Sequence, residues 1–313
     1  MRKHLFLTDS FSSLKSGHDS SLALMSSALE IGDQVWQAEL KDLIYRPEGV
    51  LIRASEVAFS SDKDKRLITL DDDPINPAES PFLIWMRKDP PVDQAYLRAC
   101  QLLRLIKSPS MVVNNPEALL FCDEKLFALE FPDLIPDTYI FSSVSEAKKF
   151  IQDSSETWIG KPIGSKAGEG IFGLRPDDQN LGSLLDILTS QSQEPFILQE
   201  YLPAIDQGDK RIFLWVGEPV GAVNRLAQKD DYRANMAAGG KVGKTEITPS
   251  DRKICECLKP RLLELGLYLV GLDVIGDRLT EINITSPTML EEIKLLNQTD
   301  PAHEIIVSCH TLF

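Results

Sequence analysis

The stretch "GLDVIGDRLTEINITSPT", residues 271–288, contains two β-prone segments around a short polar turn, which predicts a β-hairpin. Residues two apart on a strand point to the same face, so Glu281 and Asn283 would lie together on the second strand. A three-residue turn from Gly276 to Arg278, or a bulge, would set Asp273 opposite Glu281, whereas a two-residue turn without a bulge would put Asp273 on the other face. The longer turn or the bulge would therefore bring three oxygen-bearing side chains onto one face.

This trio has two interpretations. Two carboxylates and an amide oxygen suit Mg²⁺, which keeps several waters and binds substrate phosphates. The alternative is a solvated face of an antiparallel sheet that carries polar residues by chance. On the hairpin alone, the solvated face is the stronger of the two interpretations.

Asn283-Ile284-Thr285 also fits the N-x-T rule for glycosylation, which requires secretion. The first residues, "MRKHLFLTDSF", contain only three consecutive apolar residues before Thr8, fewer than a signal peptide needs. No window approaches the ~20 apolar residues of a membrane span. We therefore expect a soluble, cytoplasmic protein with no membrane partner, in which Asn283 is a ligand rather than a glycan acceptor.

The composition narrows the class of protein. The chain has 313 residues, enough for two or three domains, and a formal charge of −14 without a basic run, so we expect no nucleic-acid partner. The five cysteines are scattered and odd in number, which is typical of free thiols in a reducing compartment. The four histidines form no ligand spacing, so a Cys/His metal site is not expected.

Strands alternate with helices through residues 1–122, which predicts a parallel sheet. Ligands of such sheets bind beyond the carboxyl ends of the strands, where the sequence places Arg87, Lys88, Asn114 and Asn115. Residues 46–80 are less regular, and "SSDKDKR" and "DDDPINPAES" are typical of a solvated surface insertion without chemistry.

The pattern changes after Glu124. "TWIGKP" and "GIFGLRP" are predicted strands around a loop of small residues, and a hairpin is predicted about Gly217. A helix is predicted from Pro249 to the residue before Gly266, and its internal Pro260 should kink or divide it. We expect domains over residues 1–122, 123–200 and 201–313, the second being a lid and the third carrying the trio.

Two lysines lie upstream of the hairpin that carries the trio. Lys125 and Lys161 could each give a point charge to a nucleotide phosphate. Gly164 and Gly168, in the loop after Lys161, would let backbone N–H groups approach phosphates, although a mobile hairpin tip explains them equally well. "QEYLP" could offer backbone hydrogen bonds to an adenine edge, or could simply be the end of a strand.

A cationic set follows, with Arg211, Arg225 and Arg233 among loops that also carry Asn235. Arginine binds carboxylates and phosphates in a two-pronged way, and a neighbouring glycine-rich segment could close over a ligand. Taken singly, these arginines are better explained as surface residues of an acidic protein. Their order along the chain, after the lysines and before the carboxylates, favours function.

That order of features resembles the order in the ATP-grasp superfamily. The short sequence segments themselves are similar to those of the bacterial glutathione synthetase family. The similar segments occur in family order across most of the chain: "DSS" (19–21), "MRKDPP" (86–91), "EKLF" (124–127), "YLPAI" (201–205), "GDKR" (208–211), "GEPV" (217–220), "AAGG" (237–240), "GLD" (271–273), "IGDRLTEIN" (275–283) and "TSPT" (285–288). The resemblance implies an α/β protein, with an ATP-grasp fold preceded by a Rossmann-like parallel-sheet domain.

The resemblance also implies roles for these residues. Lys125 and Lys161 would hold ATP phosphates, with Gly164 and Gly168 in the phosphate loop. The adenine would contact Glu200, Tyr201 and Leu202, and the ribose would face Asp209. Mg²⁺, or Mn²⁺ in its place, would be held by Asp273, Glu281 and Asn283. The dipeptide and its acyl phosphate would meet Arg211, Arg225, Arg233 and Asn235.

The implied reaction joins γ-glutamylcysteine to glycine with ATP through an acyl phosphate, in a chain that forms a homo-oligomer. Two alternatives remain at this stage. One is an ATP-grasp ligase for another acid or amine, chosen by the segment from Arg225 to Lys241. The other is a nucleotide-binding protein without ligase activity. The chain departs from the family sequence at two places. One is the loop at Lys166, and the other is Gly160, where relatives carry an apolar residue.

Overall fold

The computed structural model describes residues 1–61, 66–164, 169–190, 194–226 and 241–312. Within these residues the strands form three sheets, of seven, four and five strands in chain order. Arg233, Asn235 and Gly168, which the sequence singles out, lie outside the described residues, as does Lys166.

The first sheet has a parallel centre and an antiparallel extension. Its strands are β1 (Lys3–Leu7), β2 (Gln34–Ala38), β3 (Leu43–Arg46), β4 (Gly49–Phe59), β5 (Leu67–Ile75), β6 (Leu83–Met86) and β7 (Met111–Val113). Strands β2, β1, β6 and β7 are neighbours in that order and run parallel, as the alternation of strands and helices predicts. Strand β4 pairs antiparallel with β2, β3 and β5.

The interpretation of residues 46–80 as solvated loops is wrong. Strands β4 and β5 extend the sheet there, and Val50, Ile52, Ala54 and Val57 of β4 are buried. These residues recur at nearly every second position, which is the periodicity of a half-buried strand. The acidic run in β5 concealed the pattern because its aspartates are typical of loops.

Three helices pack on this sheet: α1 (Ser20–Glu30), α2 (Gln94–Leu103) and α3 (Pro116–Phe121). Helix α1 begins where the carboxylate of Asp19 accepts hydrogen bonds from the N–H groups of Ser21 and Leu22. This is the usual role of an aspartate at a helix start, and it explains the "DSS" segment structurally.

The second sheet is antiparallel, in the order β10-β9-β11-β8, and consists of β8 (Thr138–Phe141), β9 (Trp158–Pro162), β10 (Phe172–Leu174) and β11 (Phe196–Glu200). Helices α4 (Val144–Gln152) and α5 (Leu181–Leu188) cover one face. Trp158, Leu174 and Phe196 form a core with these helices. This core is separate from the two cores that the first and third sheets share. This layer can therefore move as a unit without breaking the main cores.

The third sheet is antiparallel, in the order β14-β13-β12-β15-β16, and consists of β12 (Asp209–Trp215), β13 (Glu218–Leu226), β14 (Lys241–Lys244), β15 (Leu269–Ile275) and β16 (Arg278–Asn283). The predicted helix is α6 (Pro249–Leu265), which ends at Gly266 in the left-handed region, with φ +69°. Pro260 lies inside α6 and does not divide it.

Helices α7 (Leu290–Asn297) and α8 (Pro301–Leu312) join the first and third sheets. One buried cluster contains Phe6 and Trp85 of the first sheet, Phe213 of the third, and Ile293 and Ile305 of these helices. The two sheets therefore share a core. None of the described helices is long and apolar enough to cross a membrane. The three domain limits stay predictions.

Candidate active site

The hairpin of β15 and β16 carries the bulge that the sequence predicts. Its turn has only two residues, Gly276 and Asp277, but the register shifts beside Asp273, so Asp273 pairs with Glu281 and Gly271 pairs with Asn283. The hydroxyl of Thr280 donates to the carbonyl of Asp273 (3.1 Å) and stabilises the bulge. Because the bulge restores the register, all three oxygen-bearing side chains lie on one face.

Two arginines from the neighbouring strands occupy the carboxylate of Asp273. Arg211 donates from Nε to Oδ1 (2.5 Å) and from Nη2 to Oδ2 (3.1 Å), and Arg225 places Nη2 at 2.8 Å from Oδ2. Burial alone would raise the pKa of Asp273, but Arg211 and Arg225 outweigh it and hold the pKa well below its usual range. The carboxylate is therefore ionised, and the two arginines compensate its negative charge before any ligand binds.

Asp209 completes this ionic cluster from β12. Its Oδ2 accepts from Nη2 of Arg225 (2.5 Å), and the two residues are direct partners across β12 and β13. Burial raises the pKa of Asp209 to about 6, with Asp273 adding to the rise and Arg225 opposing it. Oδ1 of Asp209 and Nε of Arg225 are buried and have no hydrogen-bond partner among the described residues, which leaves one acceptor and one donor of the cluster for a ligand.

Glu281 lies at the edge of the cluster. Its Oε1 is 3.6 Å from Nζ of Lys125. Burial raises the pKa of Glu281 to about 7, with Asp273 and Glu124 adding to the rise while Lys125 and Lys161 oppose it. The face is thus a half-buried ionic surface rather than the solvated face that was the alternative.

Lys161 approaches the same cluster from the second sheet. Its Nζ donates to Oε1 of Gln199 (2.7 Å), and Nε2 of Gln199 donates to Oγ1 of Thr138 (3.0 Å). Burial lowers the pKa of Lys161, and Lys125 lowers it further, while Glu281 opposes both. Because the charges of Glu281 and Lys125 both act on the pKa of Lys161, the second sheet places Lys161 in the electrostatic field of the Lys125–Glu281 pair.

Gly160, the departure beside Lys161, has a packing explanation. A Cβ at Gly160 would lie 2.4 Å from Cδ1 of Leu188 and 3.0 Å from Cδ1 of Leu174. The side chains of α5 and β10 therefore fill the space that an apolar residue would take. The glycine is compensated within the core of this layer and does not disturb Lys161.

The residues that are predicted to contact the adenine lie at the end of β11. Glu200 is its last residue, and its N–H donates to the carbonyl of Asp137 (2.8 Å). Tyr201 and Leu202 follow and are half-buried. Gly164 has φ +72° with open space around it, so the loop after β9 turns through a conformation that favours glycine.

The structure adds two residues that sequence patterns did not reveal. Gln199 is buried and holds Lys161. Glu124 accepts hydrogen bonds from Ile284 and Thr285. Their partners are distant in sequence, so no local spacing could have marked them. Asn114, which the sequence places at a strand end where ligands bind, instead donates to the carbonyls of Leu269 and Ile284 and is structural.

The donors on the bulged hairpin fit a magnesium ion chemically. Asp273 and Glu281 supply carboxylates, and Nδ2 of Asn283 donates to the carbonyl of Gly271 (3.2 Å), which fixes the side chain that carries the amide oxygen. In the described residues no three His, Cys, Asp or Glu side chains are grouped to hold a metal, so a metal at this hairpin would need the amide oxygen of Asn283 as its third protein donor. Hard oxygen donors of this kind are what Mg²⁺ takes.

Comparison with known proteins assigns the family. The model of the prokaryotic glutathione synthetase N-terminal domain matches residues 2–119, and that of the prokaryotic glutathione synthetase ATP-grasp domain matches residues 124–298. The chain belongs to the prokaryotic glutathione synthetase family. Its fold is the ATP-grasp fold with an N-terminal domain, as the resemblance implies.

Relatives and solved structures agree with this membership. Glutathione synthetase of Thermosynechococcus vestitus is 42% identical, covering 96% of this chain and 97% of its own. That of Synechococcus elongatus is 41% identical, covering 99% and 98%. The D-cycloserine synthetase DcsG superposes with a TM-score of 0.68 at 10% identity, covering 98% and 99%, and the ATP-grasp ligase PsnB with 0.64 at 14%, covering 99% of both chains. At such identities these two structures show the fold alone.

Proposed function

We propose that this chain is a glutathione synthetase that joins γ-glutamylcysteine to glycine with ATP. The observation that carries the proposal is the pairing of Lys125 with Glu281 (3.6 Å), with Lys161 in the electrostatic field of this pair, in a chain that belongs to this family. Phosphoryl transfer needs such positioning of positive charge more than it needs a reactive protein group.

Lys125 and Lys161 hold the phosphates of ATP in this proposal, and the loop with Gly164 and Gly168 lies over them. The adenine lies at the end of β11 against Glu200, Tyr201 and Leu202. Asp209 faces the ribose, and its unpartnered Oδ1 is a suitable acceptor for a sugar hydroxyl. A lysine whose pKa is lowered by burial still carries charge when a phosphate binds, because an anion favours the charged form.

Asp273, Glu281 and Asn283 would hold Mg²⁺, with Mn²⁺ as a substitute. Bound there, the metal would neutralise charge on the phosphates. Arg211 and Arg225 already contact the carboxylate of Asp273. A metal ion that binds this carboxylate would therefore share it with the two arginines or displace them.

Arg211 and Arg225 bind the acid substrate and its acyl phosphate, together with Arg233 and Asn235, which lie outside the described residues. The unpartnered Nε of Arg225 is a buried donor for a carboxylate or phosphoryl oxygen. The dipeptide carboxylate attacks the γ-phosphorus, and ADP leaves. The amine of glycine then attacks the acyl carbon, and phosphate leaves.

No protein nucleophile takes part in this sequence of steps. Burial raises the pKa of Cys100, Cys255 and Cys309 to about 12, so these thiols are not thiolates at neutral pH. Catalysis rests on holding the two substrates in line, and on charge neutralisation by lysines and arginines. We also propose a cytoplasmic location and a homo-oligomeric state.

Phosphate release coupled to detection of the tripeptide by mass spectrometry tests the proposal. We expect turnover with ATP, Mg²⁺, γ-glutamylcysteine and glycine, and hydroxylamine should trap the acyl phosphate. Turnover only with another acid or amine would overturn the substrate assignment. ATP binding without product for any acid would overturn the ligase assignment. Size-exclusion chromatography with light scattering tests the oligomeric state.

A further inference from the structure

Glu124 holds the end of the strand that carries two of the three proposed metal donors. Its Oε1 accepts three hydrogen bonds, from N–H of Ile284 (2.8 Å), N–H of Thr285 (2.9 Å) and Oγ1 of Thr285 (2.8 Å). Its backbone carbonyl accepts a fourth, from N–H of Ile282 (3.0 Å). One residue near the start of the ATP-grasp region therefore contacts β16 and its exit through both side chain and backbone.

These bonds bracket Asn283. Ile282 and Ile284 are its two neighbours, and the N–H group of each donates to Glu124. Both neighbours are fully buried, and Thr285 is nearly so, which leaves no solvent to replace a lost acceptor. An unpaired buried N–H is costly, so the two bonds to Glu124 favour one backbone conformation at Asn283.

The same residue also sets the position of Lys125. Lys125 is next in the chain, and its Nζ lies 3.6 Å from Oε1 of Glu281. The backbone bond from Ile282 to Glu124 thus fixes the distance between the segment that carries the lysine and the strand that carries the acid. A shift of Glu124 would change the phosphate site and the metal site together.

We propose that Glu124 is a positioning residue of this enzyme, which acts through the backbone of Ile284 and Thr285 to place Asn283 and Glu281 for the metal. The proposal rests on the proposed function. Glu124 touches neither substrate in this role. Its chemical requirement is an acceptor oxygen at Oε1, and a negative charge there is not needed.

Three variants separate this role from a general structural one. Glu124→Ala removes the acceptor, whereas Glu124→Gln keeps an oxygen that can accept the same bonds. Thr285→Val removes one of the three donors to Oε1. Glu130→Ala is the matched control, because Glu130 lies in the same segment, is exposed, and pairs only with Arg261 among the described residues.

Binding of Mn²⁺, followed by electron paramagnetic resonance with a non-hydrolysable ATP analogue, is the main measurement. Glu124→Ala should raise the Kd for Mn²⁺ about tenfold or more, as losses of groups that orient metal ligands do. Thr285→Val should raise it by a smaller factor, and Glu124→Gln and Glu130→Ala should leave it within twofold. Binding of the nucleotide in EDTA should change little in any variant.

Two results would overturn the proposal: an unchanged Mn²⁺ Kd in Glu124→Ala, or an equal loss in Glu124→Gln. If Glu124→Ala does not fold, the pair Thr285→Val and Glu124→Gln decides in the same way, since the first must weaken metal binding and the second must not. Failure of the proposed substrates would show as absent turnover with intact Mn²⁺ binding in the unaltered chain, which is distinct from both results.

Discussion

Arg211 and Asp273 face each other across β12 and β15 and form a two-pronged ion pair in which both oxygens of the carboxylate are used. Both side chains are about nine-tenths buried. The pair thus combines a proposed substrate ligand with a proposed metal ligand, and Arg211 helps to hold the pKa of Asp273 below its usual range.

Replacing Asp273 by Asn should destabilise the protein, because Arg211 and Arg225 would lose a buried counter-ion. Breaking a buried pair from one side costs about 3–5 kcal/mol. The free energy of unfolding from urea titration measures this loss. Glu218→Gln is the control, since Glu218 forms an exposed pair with Lys259 and such pairs contribute under about 1 kcal/mol. Equal effects of the two substitutions would contradict the ionic cluster.

Glu281→Gln should abolish turnover while the fold stays intact. Glu281 has one neighbouring cation at 3.6 Å, and its ionised form is disfavoured by burial, so the neutral amide costs the fold little. Loss of a charged metal donor should lower kcat by more than about 100-fold, beyond the effect of losing a group that only orients a ligand. Steady-state kinetics over a range of Mg²⁺ concentrations measures it. If activity survives with unchanged Mg²⁺ dependence, Glu281 is not a metal ligand.

The hairpins and α6 could be predicted from sequence because their signals are local. Period-two alternation marks the strands, and Pro249 and Gly266 mark the ends of α6. The sequence left two ways to set Asp273 opposite Glu281, a three-residue turn or a bulge, and the structure has the bulge with a two-residue turn. The extension by β4 and β5 was missed because the acidic run inside β5 outweighed the alternation within β4.

The contacts of the site could not be predicted, since they join residues far apart in the chain. Nothing near Asp273 in the sequence indicates Arg211, whose guanidinium reaches it only after β12 pairs with β15. Glu124 accepts from backbone groups 160 residues away, and backbone donors leave no side-chain pattern. Such residues require the fold before their role can be inferred.

A buried cluster around His4 and Asp33, apart from the candidate active site, should lose stability in acid. His4 accepts from Nε1 of Trp85 at Nδ1, and its Nε2 contacts Oδ2 of Asp33 (3.2 Å), which also contacts His310 (2.6 Å). Burial lowers the pKa of His4 below 6.5. The pKa of Asp33 is also lowered: burial opposes the shift, but hydrogen bonds from Arg2, His310 and His4 outweigh it.

Both pKa changes lower the free energy of unfolding as the pH falls. Below pH 6.5 the unfolded chain protonates His4 while the folded chain does not, so the free energy of unfolding falls as the pH drops towards the folded pKa. Asp33 adds a loss below pH 3.8. A tenfold difference in proton affinity between the folded and unfolded chains corresponds to about 1.4 kcal/mol. Between pH 7 and 5 the raised pKa values of Glu281 and Asp209 act in the opposite direction, so the contribution of His4 is measured as a difference between two proteins. In urea titrations the unaltered chain should lose stability relative to His4→Gln as the pH drops. His303→Gln, an exposed histidine of α8, should follow the unaltered chain, and parallel curves for His4→Gln and the unaltered chain would refute the assignment.

Gly160 and Leu188 should be energetically coupled, because one leaves the space that the other fills. Gly160→Ala would bring Cβ to 2.4 Å from Cδ1 of Leu188 and should destabilise the second sheet and its helices by about 1–3 kcal/mol through overpacking. Leu188→Ala alone should cost about 2–5 kcal/mol through the cavity that it leaves. In the double variant the new methyl group occupies part of that cavity, so the combined loss should be smaller than the sum by at least about 0.5 kcal/mol. Thermal and urea unfolding of the four proteins measures the cycle. Additive losses would mean that α5 moves away from Gly160, and that the glycine is not required by the packing of Leu188.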